Sequence, residues 1–116
     1  MSGWPRALMG KVYVGTIPAP MEWRVHIEDD GRRRQLPLCL DVVNHSPTGF
    51  AWGYAGSGPA QLALAILHDA IGRDRAIELH QRFKLLCIAK LDQHAGWRMP
   101  VAMVLASVVM IQTGHE

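Results

Sequence analysis

The chain has 116 residues, 49% of them hydrophobic, and a formal net charge of +2. That length and composition fit one domain with a real core and exclude an intrinsically disordered chain. The weak positive charge excludes a bulk electrostatic case for nucleic-acid binding, and the only cysteines, Cys39 and Cys87, are too far apart for a CxxC or zinc-ligand spacing.

Residues 1–9 show no period around Gly3, Trp4 and Pro5. They read as a loose end that pins Trp4 onto the body. Without a long apolar core behind basic residues they do not form a secretory signal, so a cytoplasmic protein with reduced, half-buried thiols is expected. Lys11–Gly15 is predicted as a first strand from its β-branched and aromatic residues, and Pro18-Ala19-Pro20 as a stiff link that cannot continue a central ladder.

From Glu22 to Glu28 the alternation is clean, with Trp23, Val25 and Ile27 on one face. Asp29-Asp30-Gly31 then predicts a hairpin turn. A third strand is expected where Leu36, Leu38, Leu40 and Val42 oppose Pro37, Cys39, Asp41 and Val43. Asn44–Gly49 reads as a turn. Phe50, Trp52 and Tyr54 then share one face of a short core strand, leaving Ala51 and Gly53 on the other.

Gly56-Ser57-Gly58 leads into Pro59, with Ser57 or Gly58 expected at a helix cap. The helix Pro59–Ile71 is apolar nearly all round and should be central and buried. Gly72 ends it, Asp74 caps a second helix running to about Leu91, and Ala95–Arg98 breaks the pattern. Pro100 opens a third helix through Ile111, closed by Gly114, with almost no polar face. Val101–Ile111 falls well short of the ~20 apolar residues that cross a bilayer, so no membrane span is expected.

The expected architecture is a single domain, residues 1–116, of class α+β. An antiparallel sheet of three to four strands, about residues 11–55, packs against a helical hairpin and a C-terminal helix, about residues 59–112.

His45 and Ser46 beside Asp41 have the residue types of a hydrolase, but sequence neighbours rarely reach each other as nucleophile, base and orienter, and there is no GxSxG elbow. Ser46 and Thr48 are expected to bond turn backbone and Ser57 to cap the helix. The glycine-rich corner before a helix suits an anion, yet Pro59 removes a donor and the Walker ending is absent. His26, His45, His68, His80, His94 and His115 form no HxxxH or HExxH pair, although His68 and His80 lie on consecutive helices and can face each other. No catalytic residue, metal or cofactor is assigned.

Arg32-Arg33-Arg34, with Arg24 and Lys11 on neighbouring strands, is the strongest local charge cluster, a candidate contact for nucleic acid or a partner. Glu22, Glu28, Asp29 and Asp30 around it cut its field.

The run from His45 to Ala65, HSPTGFAWGYAGSGPAQLALA, resembles the signature of a family of small uncharacterised proteins found in bacteria, phages and other mobile elements. Its signature positions here are Ser46, Pro47, Gly49, Phe50, Trp52, Gly53, Tyr54, Gly56, Gly58 and Pro59. Lys11–Gly15 and Gln81–Lys84 are similar to the same pattern, so the resemblance covers about residues 11–92. Ala51 departs from it, standing where an acidic residue is more common, and Met99–Gln112 is more hydrophobic than the family pattern. The resemblance implies a mobile-element accessory protein and transfers no catalytic residue. The expected function is therefore a non-enzymatic interaction protein that binds a host or phage protein, for example as an anti-defence inhibitor, or self-associates. A nucleic-acid-binding module using Arg24, Arg32, Arg33 and Arg34 is the alternative, and a small hydrolase or nucleotide binder comes third.

Overall fold

The computed structural model describes residues 10–114. Where the sequence alternates most cleanly, it pairs: β1 (Lys11–Ala19) and β2 (Glu22–Asp29) form the middle of an antiparallel sheet. β3 (Arg32–Gln35) and β4 (Trp97–Pro100) complete it in the order β3-β2-β1-β4. The Asp-Gly turn is as expected. Asp29 pairs with Arg32, leaving Asp30 and Gly31 as a two-residue loop with φ of 52° and 79°, the left-handed pair that suits the twist of a hairpin.

Among the described residues, three α-helices follow the sheet's logic rather than its order. α1 (Ser57–Ile71) and α2 (Arg73–Leu86) form the hairpin, and α3 (Val101–Thr113) leaves β4 directly. Tyr13, Ile27 and Met99 lie in one cross-strand row and are all buried in a single core with Trp52, Phe83, Ile88 and the apolar residues of α1 and α3. The class is α+β with the sheet, hairpin and C-terminal helix arranged as the sequence suggests. The early residues around Trp4 lie outside the described part, as does His115.

Several local expectations are overturned. The third strand is not Leu36–Val43 but Arg32–Gln35, because the two-residue turn starts the ladder at once. The Leu36 amide still donates to the Val25 carbonyl, but Pro37 has no donor to continue, and Cys39 takes a φ of 58° that leaves the extended region. A turn closed by the Val42 amide on the Cys39 carbonyl follows.

Phe50–Tyr54 forms no strand either. Gly49 and Gly53 have positive φ and bend the chain, so the three aromatics do not share a face: Trp52 is fully buried, Phe50 half-buried, and Tyr54 43% exposed. The sheet therefore occupies residues 11–35 and 97–100 rather than 11–55. β4 lies where the sequence reads only as a break, since a four-residue edge strand with Arg98 and Pro100 carries no strand signature. β1 runs through Pro18, tolerated because β4 pairs only with residues 12–15 and the β2 register shifts between Thr16 and Ala19.

The helix ends are also corrected. Gly56, not Ser57 or Gly58, is the N-cap of α1, and Gly72 both ends α1 and caps α2 in place of Asp74; neither cap uses a side-chain bond. Cys87 ends α2, and a 3-10 turn at Ile88–Lys90 takes the remainder that was expected to be helix. Gly114 closes α3 in the left-handed conformation. Among the described residues no helix is long and apolar enough to cross a membrane.

Candidate functional site

Residues 36–56 connect the sheet to α1 without regular structure, so their backbone groups need other partners. Gln61 supplies many of them. Its side chain is fully buried; Nε2 donates to the carbonyls of Leu38 (2.6 Å) and Val43 (3.0 Å), and Oε1 accepts from the amides of His45 (2.7 Å) and Ser46 (3.1 Å). One amide thus satisfies four backbone groups of an irregular segment. Downstream, Trp52 anchors the segment, donating through Nε1 to the Ala95 carbonyl and meeting Trp97 edge to face at 5.4 Å.

Three of the signature glycines, Gly53, Gly56 and Gly58, stand where the chain packs too closely for a side chain. A Cβ on Gly53 would stand 2.6 Å from the Gln93 backbone, and one on Gly58 would stand 2.7 Å from the Ala51 Cβ. These positions specify a joint between sheet and helices.

The joint opens on a cleft of about 480 Å³ at the start of α1, with Ser46, Thr48, Tyr54 and Ser57 among its walls and Glu22 as its one carboxylate. Ala51 is also in the wall, where an acidic side chain would add a second. Ser46 Oγ donates to the Gly49 carbonyl, as expected of a turn serine. Ser46 and Ser57 do share the cleft, but among the described residues no histidine lines it: His45 turns instead toward α2, where its Nε2 lies 2.9 Å from Nε2 of His80. The histidine that His80 meets is therefore His45, where the sequence had also allowed His68. Burial first, then His80 and Lys84, lower the pKa of His45. Among the described residues no cluster of three His, Cys, Asp or Glu side chains is placed to hold a metal. Cys39 and Cys87 are both free, and burial raises both thiols above their ordinary range.

The arginines do not form one stripe. Successive residues of β3 point to opposite faces, so Arg33 is separated from Arg32 and Arg34. Arg34 reaches Asp69 of α1 at 3.0 Å, Arg24 pairs with Glu22, Arg33 Nη2 donates to Nδ1 of His26, and Arg32 makes no ion pair among the described residues. Asp69 also accepts from Lys11 Nζ (3.1 Å) and Tyr13 OH (2.7 Å). Burial alone would raise the Asp69 carboxyl, but bonds from Tyr13, Arg34 and Lys11 outweigh it and hold the pKa below its ordinary value. Burial and the same carboxylate push the Tyr13 hydroxyl well above its ordinary range. The network stabilises the fold above the ordinary carboxylate range, and that contribution is lost as pH falls through the lowered pKa.

Sequence reasoning missed Gln61 and Asp69, although Gln61 and the His68-Asp69 pair are the only polar interruptions of the helix after Ser57, which is a readable sign of a buried polar joint.

Fold and joint together define a small α+β protein built around an irregular, side-chain-pinned connection. The chain belongs to a family of unknown function, DUF6166, whose pattern matches residues 19–110. That span takes in most of α3, so this helix lies within the family's domain and is not an appendage to it. Neither a curated protein nor a solved structure matches the chain.

Proposed function

We propose that this chain is a non-enzymatic interaction protein that binds another protein through the outward face of α3. One observation carries the reading: Ala102, Met103, Ala106, Val109 and Met110 are all exposed on a helix without a single charged residue, Met103 and Val109 at 48% and 47%. A helix that meets only water normally turns a charged or polar face outward. The two methionines are flexible and polarisable, which suits them to packing against an apolar groove on a partner.

The sequence resemblance supports the setting: an accessory protein of a bacterial mobile element or phage, acting in the cytoplasm on a host or phage protein, as an anti-defence inhibitor would. Nucleic-acid binding has less support, since three of the four candidate arginines are engaged by Glu22, His26 and Asp69.

The test uses the wild type and the Met103→Lys/Met110→Lys variant as bait in a nuclease-treated bacterial host lysate, with light scattering on each pure protein. A protein captured by the wild type and lost by a still-folded variant supports the reading. A wild-type dimer that the variant converts to a monomer identifies the partner as a second copy. Identical captured proteins and identical mass for both would overturn it.

A further inference from the structure

The signature segment and the helical hairpin meet at His45 and His80, a contact that the proposed function does not use. Their Nε2 atoms are 2.9 Å apart and their ring centroids 5.1 Å apart. That centroid separation is close to what two imidazoles span when they meet nitrogen to nitrogen in line. The two nitrogens therefore point at each other, as in an N–H···N bond, and do not converge on a third point where a metal would sit. His80 Nδ1 lies 2.9 Å from the carbonyls of both Ala76 and Ile77, so it carries the ring's proton and leaves Nε2 as an acceptor. His45 is then the donor, through Nε2–H.

We propose that the His45–His80 bond is a proton-operated latch, which fastens residues 44–49, one wall of the cleft, to α2 and releases them when both imidazoles are protonated. A first proton, taken by His45 at Nδ1, leaves Nε2–H donating and the bond intact. A second, on His80 Nε2, puts a hydrogen on each facing nitrogen and two positive charges beside each other, and the contact becomes repulsive.

Among the described residues, the charged groups acting on His45 are His80 and Lys84, both from α2, and neither softens that repulsion. α1 presents Gln61, which does not titrate, to the His45 backbone. The segment's one acid, Asp41, acts on Cys39 instead. Because burial holds His45 below its ordinary pKa, both protons can be present together only below the ordinary histidine range, and above that range the latch contributes in full. Release is local, since Gln61 and Trp52 grip the segment through bonds that no proton in this range alters.

The test combines imidazole ¹⁵N NMR with amide hydrogen exchange, corrected for intrinsic rates, between pH 8 and pH 5. At pH 8 the spectra should show His80 protonated at Nδ1 alone. As Nε2 of His80 gains its proton, protection of the amides in residues 44–49 should fall about three- to tenfold, the equilibrium equivalent of one net hydrogen bond. His45→Gln should abolish the pH dependence, because an amide can offer His80 either a donor or an acceptor. The latch is overturned if wild type and His45→Gln lose protection alike, or if His80 carries its proton at Nε2 at pH 8. Should the variant not fold, the wild type decides alone: protection that stays constant while His80 titrates sinks the proposal.

Discussion

Every residue of α1 from Gly58 to Leu67 is buried, whereas α3, with no charged residue at all, leaves Ala102, Met103, Ala106, Val109 and Met110 in the open. On hydropathy alone both helices would be placed inside. What separates them is position: α1 has the sheet, α2 and residues 36–56 around it, while α3 follows an edge strand and has the body of the protein on one side only. Polar residues make the same distinction. α1 carries Gln61 and Asp69, each saturated with partners from other elements, and a buried helix can hold such groups only when they are satisfied. In α3, Ser107 donates to the Met103 carbonyl and lies 3.3 Å from the Cys87 sulfur, Thr113 donates to the carbonyls of Val109 and Met110, and Gln112 is exposed. α1 joins the protein together, and α3 leaves one face unused by the fold.

The same charge placed on each helix separates these roles most sharply. Ala63 has no exposure, so Ala63→Lys must bury an ammonium without a partner or push the sheet and hairpin apart. A cost above about 4 kcal/mol is expected, enough to unfold a domain of ordinary stability. Circular dichroism of the variant should show loss of the cooperative thermal transition. A variant that melts like the wild type would mean that α1 is not enclosed.

Gln61→Leu tests the joint with little change in volume. It makes α1 more apolar, yet four backbone groups of the 36–56 segment lose their partner. Part of that segment is near the surface and water can repair some of the loss, so a cost of about 2–4 kcal/mol is expected from urea denaturation. A Gln61→Leu variant as stable as the wild type would show that packing alone holds the segment.

How much of this was readable depended on the range of the determinant. The Glu22–Glu28 alternation, the Asp-Gly turn and the helices around Gly72 were legible because each is fixed by residues a few positions apart. The alternation from Leu36 to Val43 misled for the same reason: period two describes the side chains, but whether a strand forms depends on a pairing register that the Asp30-Gly31 turn had already spent on the arginines. Phe50, Trp52 and Tyr54 misled because Gly53, which looks like a harmless small residue on a strand, has a φ of 89° and turns the chain. Gln61, Asp69 and the His45–His80 pair join positions 15 to 58 residues apart, and no local pattern announces where such partners meet.

The smallest expected effect is the one that completes the comparison. Ala106→Lys places on the outward face of α3 the charge that Ala63→Lys places inside α1. Lysine is nearly as good a helix former as alanine, and the position is exposed, so stability should stay within about 0.5 kcal/mol of the wild type by urea denaturation. Binding or self-association through this face should fall at the same time, because an ammonium must then be desolvated in an apolar contact. A loss of several kcal/mol in the isolated monomer would instead place Ala106 inside the fold. α3 would then differ from α1 only in degree, and the outward apolar face would no longer need a partner to account for it.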